Sequence, residues 1–237
     1  MATTIKYHEL LFENKELTQI EGKLTADHLI RINKELKSNA LSVYSSLGGA
    51  RHGHLFLVMT TAQFALILAV PFVHPNHPRI LVIPPGTTQH MTTTWTEQHK
   101  EDICLFREVK GVEKALVQTI VKAIWKEYLN SLRNCNTTSI TGPFYNIIDH
   151  LSMMYGSVTT AQMFEKEEEV RKMTYNPTHS IGNIFTALDD LVDFAKLTHN
   201  NITQRQCVTR AYLVLNRSGQ FIEAINAWNC RLPAQQN

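Results

Sequence analysis

Apolar residues recur at helical spacing through most of the chain. In L-T-A-D-H-L-I-R-I-N-K-E-L-K-S-N-A-L-S-V-Y, Leu29, Ile32, Leu36, Ala40 and Val43 fall on one stripe, which predicts a helix with Thr25 as its N-cap. Gly48-Gly49 follows, and glycine's access to the left-handed conformation ends helices. The apolar run after His54, L-F-L-V-M-T-T-A-Q-F-A-L-I-L-A-V, fits one helix or two short strands, and helix is the preferred reading. From Pro71 to Thr94 the sequence P-F-V-H-P-N-H-P-R-I-L-V-I-P-P-G-T-T-Q-H-M-T-T-T carries five prolines, which exclude a regular helix and predict a long extended loop. A loop of this length suggests mobility or contact with a partner.

Beyond the loop the pattern is helical almost throughout. Val117, Ile120, Val121, Ile124, Tyr128 and Leu132 predict one helix, whose apolar face Trp125 and Leu129 widen. Pro143 suits a first turn, and Phe144, Ile147, Ile148, Leu151 and Tyr155 form a stripe that Gly156 terminates. The next helix opens at V-T-T-A-Q-M-F and carries the charge run E-K-E-E-E, Glu165 to Glu169, read as an exposed face. Ile181, Ile184, Phe185, Leu188, Leu191, Val192 and Ala195 fit a further helix, as do Cys207 or Val208, Ala211, Tyr212 and Leu215. A short helix, F-I-E-A-I-N-A-W-N, follows Gly219. No stretch sustains strand alternation and no solenoid repeat is present, so the predicted class is all-α with about eight or nine helices.

Composition narrows the picture. A chain of 237 residues suits one large domain or two small ones, and two is preferred; 43% hydrophobic and 19% charged residues are the proportions of a folding chain. The apolar run from His54 to Val70 is interrupted by Thr60, Thr61 and Gln63 and falls short of the roughly 18 to 20 residues of a membrane span. The opening M-A-T-T-I-K-Y-H-E-L-L lacks a signal pattern, so a cytoplasmic or nuclear protein is expected, and the sequons at Asn136, Asn201 and Asn216 carry little weight. Cys104, Cys135, Cys207 and Cys230 are widely spaced and are expected as free thiols. Twenty-three basic against 21 acidic residues give +2, too little to attract a phosphate backbone strongly.

Candidate chemistry centres on G-G-A-R-H-G-H, Gly48 to His54. A phosphate loop would continue into Lys and Ser or Thr, but His54 and Leu55 follow Gly53. His52 and His54 could join His74 and His77 around zinc, although the spacing matches no usual ligand pattern; the preferred reading is a helix-ending turn with partly buried histidines. D-D-L-V-D, Asp189 to Asp193, matches a D-D-x-x-D magnesium-diphosphate motif of all-α terpenoid enzymes. Its aspartates point away from the stripe of Leu188, Leu191, Val192 and Ala195, which predicts solvated surface charges. H-E-L-L-F at His8 lacks a second zinc histidine, and no G-x-S-x-G elbow occurs.

The segments A-L-V-Q-T-I-V-K-A-I-W-K-E-Y-L-N-S-L-R-N, S-I-T-G-P-F-Y-N-I-I-D-H-L-S-M-M-Y-G-S-V-T, V-R-K-M-T-Y-N-P-T-H-S-I and F-T-A-L-D-D-L-V-D-F-A, with G-G-A-R-H-G-H-L upstream, resemble the Gag capsid protein of copia-type long-terminal-repeat retrotransposons. The resemblance covers about two thirds of the chain and consists of hydrophobic spacing plus small motifs. It implies an α-helical capsid fold with two subdomains, 1–154 including the proline-rich loop 71–94, and 155–237. It also implies self-assembly into particles, no cofactor, and packaging of the element's RNA. The C-x-x-C-x-x-x-x-H-x-x-x-x-C zinc knuckle of many such proteins does not occur here, so RNA contact through these residues is expected to be weak. A shell-former needs a rigid body and modest contacts repeated by symmetry rather than a catalytic centre. Phe144, Ile148, Met153 and Met154 mark a helix wide enough to serve core and interface together, or core alone, and the loop from Pro71 to Pro85 is a second candidate contact. The alternative reading is a metal-binding or enzymatic helical protein built on the turn at 48–54.

Overall fold

The computed structural model describes residues 11–47, 50–68, 72–140, 142–198 and 201–231. Among them the secondary structure is helical apart from one antiparallel bridge, Arg133 to Ile140, so the protein is all-α. The chain divides into two compact units, Met1–Lys23 with Arg31–Leu151 and Leu24–Ile30 with Ser152–Asn237.

In the first unit, helix α1 (Ala26–Ser42) begins where the Thr25 hydroxyl accepts the His28 N–H at 3.4 Å; its opening turn is counted with the second unit. Ile32, Leu36, Ala40 and Val43 are buried as their spacing predicts. The helix stops at Ser42, before Gly48-Gly49, which lie outside the described residues. The chain preceding α1 is strapped onto it by polar groups that the apolar pattern does not reveal. Asn39 accepts the Asn14 N–H at 2.7 Å and donates to the Asn14 carbonyl at 2.9 Å, while Glu35 accepts from the Thr18 N–H at 2.8 Å and hydroxyl at 2.5 Å.

The run after His54 departs from the expected single helix. It forms a 3-10 turn at Leu55–Leu57 and then a five-residue helix, α2 (Thr61–Ala65). Thr60 restarts the helix through a capping box, exchanging side-chain and backbone hydrogen bonds with Gln63. The extended loop is also shorter than predicted. Thr88 caps helix α3 (Gln89–Ala123), so Q-H-M-T-T-T is helical, with the hydroxyls of Thr92, Thr93 and Thr94 donating to carbonyls four residues back. Pro71, where the predicted loop begins, lies outside the described residues.

The helix predicted over Val117 to Leu132 is broken. Ile124 turns to φ −113° and ψ 139°, and the chain resumes as α4 (Lys126–Leu129) and a 3-10 turn at Asn130–Leu132. The break serves packing of the N-terminal strap: the Ala123 carbonyl accepts the Ile20 N–H at 3.2 Å, and the Tyr128 hydroxyl donates to the Gly22 carbonyl at 3.2 Å. Trp125, 52% exposed, does not extend the apolar face. Helix α5 (Tyr145–Tyr155) buries Ile147 and Leu151, with Phe144 buried just ahead of it. α5 ends at Gly156, whose N–H bonds the Ser152 carbonyl at 2.9 Å; a Cβ there would sit 2.5 Å from that oxygen, so the position takes glycine.

The second unit holds α6 (Thr160–Lys172), α7 (Gly182–Leu197), α8 (Gln204–Ser218) and α9 (Ile222–Asn229). Thr159 and Thr203 open α6 and α8 with capping boxes completed by Gln162 and Gln206. Its core joins Met163 and Val170 of α6, Leu188, Leu191 and Phe194 of α7, and Val214 of α8; Ala26 packs with them. Phe185, expected on the buried stripe, is 49% exposed, and Phe194 fills the core instead. The acidic run is more than a solvated face. Glu167 pairs with Arg210 of α8 at 2.6 Å, and Lys166 lies 3.5 Å from Asp27.

Candidate functional site

The glycine–histidine turn is a packed junction in the first unit. Once α1 ends, its last carbonyls lack intrahelical donors. The His54 N–H bonds the Ala40 carbonyl at 2.7 Å, and the His54 ring Nδ1 lies 3.2 Å from the Val43 carbonyl. Such an approach requires glycine at position 53: φ is +46°, and a Cβ would lie 2.6 Å from the Ala40 and Leu41 carbonyls and 2.7 Å from that of Val43. The motif's spacing is therefore explained by a helix end that needs donors and a chain that must pass close to supply them.

His54 is fully buried. A carbonyl only accepts, so Nδ1 carries a proton and Nε2 faces Glu108 Oε1 of α3 at 3.3 Å, within ion-pair reach though off the direction of a hydrogen bond. One proton between these two atoms avoids a repulsion of lone pairs. Burial raises the Glu108 pKa above the ordinary carboxylate value, and a hydrogen bond from Ser45 opposes the rise. The triplet Ser45, His54 and Glu108 thus ties the end of α1 to α3. Sequence reading missed it because the three residues are scattered and no local spacing marks them.

The four candidate zinc histidines do not converge. His74 rests edge-on against Phe72 and Phe56, with ring centroids 4.8 and 5.9 Å away. Burial against these rings lowers its pKa, while Glu113 raises it and Lys110 lowers it further. His77 turns its Nδ1 to the Pro78 carbonyl at 2.8 Å and its ring to Phe106. Among the described residues no group of three or more His, Cys, Asp or Glu side chains is placed to hold a metal ion. Cys104, Cys135, Cys207 and Cys230 are free thiols. His8 lies outside the described residues.

Phe72 and His74 anchor the start of the extended segment on an aromatic cluster, where Phe56 stacks on Phe72 and meets Phe64 edge to face. Beyond His77 the segment leaves the core. Ile80 is 90% exposed and Val82 78%. In α7, Leu188, Leu191 and Ala195 are buried while Asp189 is exposed, and Asp193 pairs with Lys196 at 2.7 Å, so the aspartates of D-D-L-V-D do not gather round a cavity.

The four candidate assembly residues separate. Phe144 is 1% exposed and packs in the core, and Ile148 is half-buried. Met153 and Met154, one turn later, are 82% and 59% exposed. No helix among the described residues is long and apolar enough to cross a membrane. Set beside known proteins, the chain matches no family model, no curated protein and no solved structure.

Proposed function

We propose that this chain is a structural, self-assembling, Gag-like capsid protein that forms virus-like particles around element RNA in the cytoplasm. One observation carries the reading: large apolar side chains stand in solvent, with Ile80, Val82 and Met153 each more than three-quarters exposed. Exposed apolar surface of this kind is a normal feature of interaction sites and a liability elsewhere. The retrotransposon resemblance supplies the form of the interaction, many weak contacts between identical copies, which close by symmetry and gain strength from effective concentration. The near-neutral charge, 23 basic against 21 acidic residues, suits a shell whose copies must approach one another.

Electron microscopy with light scattering of the purified chain tests the proposal. Closed particles or rings are expected, and Met153→Ser with Met154→Ser should shift the population toward small species. A chain that stays monomeric at high concentration over a range of salt overturns it.

A further inference from the structure

Between Pro78 and Pro84 the extended segment R-I-L-V-I, residues 79–83, makes no backbone hydrogen bond to any described residue. Both of its ends are held. On one side the His77 ring rests on Phe106 and turns its Nδ1 to the Pro78 carbonyl at 2.8 Å. On the other, Thr87 donates its N–H and its hydroxyl to the Pro84 carbonyl at 3.4 and 2.6 Å, one residue before the N-cap of α3.

Exposure along the run follows the period of two that an extended strand imposes. Ile80 and Val82 stand in solvent, whereas Leu81 is half-buried and Ile83 is 40% exposed, so one face turns to the fold and the other away from it. A strand with unpaired peptide groups and an apolar outer face is a template for a second strand. Its fixed ends reduce the ordering that pairing would cost.

The chain itself supplies a matching strand. The stretch before α1 also runs outside helices, but the Thr18 N–H is taken by Glu35 and the Ile20 N–H by the Ala123 carbonyl, so the partner segment in a second copy is residues 79–83 again. Identical strands that close on a two-fold axis pair antiparallel. Centring that axis on Leu81 sets Ile80 opposite Val82 of the second copy and gathers four β-branched side chains on the outer face, a favoured cross-strand combination. The same register places each Pro78 opposite a Pro84, so the residues that lack an N–H fall just outside the paired length at both ends. It also holds the two Arg79 guanidinium groups at opposite ends of the pair.

We infer that residues 79–83 of one copy pair antiparallel with the same residues of a second copy, centred on Leu81, as a two-stranded bridge between copies. The inference rests on the self-assembling reading and names one contact that such assembly uses. Two strands of this length are marginal alone, which suits a weak contact repeated many times.

Disulfide trapping in the full chain tests it. Ile80→Cys and Val82→Cys are prepared separately; both side chains are in solvent, so both variants should keep the fold, checked by circular dichroism. Each is oxidised alone and in an equal mixture at concentrations where light scattering shows association, and the linked residues are identified by mass spectrometry of peptides. The mixture should give severalfold more linkage between the two engineered thiols than either variant gives with itself, because directly opposite positions meet disulfide geometry and diagonal ones do not. Self-linkage of either variant as efficient as linkage in the mixture overturns the register. Linkage chiefly to Cys104, Cys135, Cys207 or Cys230 of another copy gives the segment a different partner surface and overturns the strand pair. Association without linkage between the engineered thiols overturns the inference and leaves self-assembly standing, whereas an absence of association in the unsubstituted chain overturns both.

Discussion

Two four-residue apolar runs in the first unit, L-F-L-V at 55–58 and I-L-V-I at 80–83, are nearly equal in hydrophobicity and opposite in fate. Leu55, Phe56, Leu57 and Val58 are 1 to 6% exposed, whereas Ile80 and Val82 are 90% and 78% exposed. The difference lies in the backbone. The first run closes on itself, the Leu57 N–H bonding the His54 carbonyl at 2.9 Å and the Val58 N–H the Leu55 carbonyl at 3.1 Å, so its peptide groups enter the core satisfied. The second is flanked by Pro78 and by Pro84-Pro85 and runs extended. Extended peptide groups need a neighbouring strand, and the described residues provide none. Burying I-L-V-I would strand its N–H and carbonyl groups at a cost comparable to the hydrophobic gain. Hydrophobicity selects candidates for a core, and backbone hydrogen bonding decides among them.

The strongest way to break this contrast is to expel the buried run by removing the turn that feeds it. Gly53→Ala would place a methyl against three carbonyls at 2.6 to 2.7 Å, in a left-handed conformation that L-residues disfavour. Backbone atoms cannot yield as a side-chain tip can. We expect a loss of about 4 kcal/mol or more, at the extreme of single substitutions. Urea denaturation followed by circular dichroism measures it, and a loss below about 1 kcal/mol would show that the turn is not a close junction.

Phe56→Ala tests the packing itself. Phe56 is 3% exposed and stands at the centre of the cluster formed with Phe64, Phe72 and His74. Truncating a buried phenylalanine costs about 3 to 5 kcal/mol. The variant should also release the ring of His74 from the contacts that lower its pKa, moving its titration back toward the ordinary histidine value of 6.5; NMR titration of the ring protons follows this shift. An unchanged His74 titration would place the cause of its lowering elsewhere.

These residues show where sequence patterns are legible. The stripe Ile32, Leu36, Ala40 and Val43 reads correctly because a long amphipathic helix fixes which side chains share a face, whatever surrounds it. Thr25, as an N-cap, reads for the same local reason. The break at Ile124 is invisible in that pattern, since it is set by Ile20 approaching the Ala123 carbonyl from a hundred residues upstream. Phe185, expected on the buried stripe, is half-exposed while Phe194, outside that stripe, fills the core, because periodicity names a face without ranking the residues at its edge. At the junction, G-G-A-R-H-G-H identifies the turn, but neither Ser45 nor Glu108 carries any spacing that links it to His54.

A smaller effect sharpens the electrostatic side of the junction. Burial raises the Glu108 pKa, so folding favours its protonated form. The stability this group contributes is complete below the ordinary value of 4.5 and is lost as pH rises from there through the raised value. One proton limits the slope to about 1.4 kcal/mol per pH unit. Glu108→Gln keeps a neutral donor facing His54 Nε2 and should flatten the dependence while preserving stability near pH 7. Denaturation midpoints of both proteins between pH 4 and 8 provide the measurement. Parallel curves for the two proteins would show that Glu108 does not take up the proton.

The smallest expected effect on the monomer falls on the exposed run. Ile80→Asn with Val82→Thr replaces side chains that are already in water, and surface changes of this kind stay within about 0.5 kcal/mol. Their consequence belongs to association instead. A five-residue extended segment bounded by prolines can pair with a neighbour over a short length only, so each contact is weak and its removal is felt through many copies. Particle formation should therefore fall steeply while the urea midpoint stays fixed. A loss of unfolding free energy of more than about 1 kcal/mol would mean that I-L-V-I contributes to the core after all, and would erase the contrast with L-F-L-V on which the backbone argument depends.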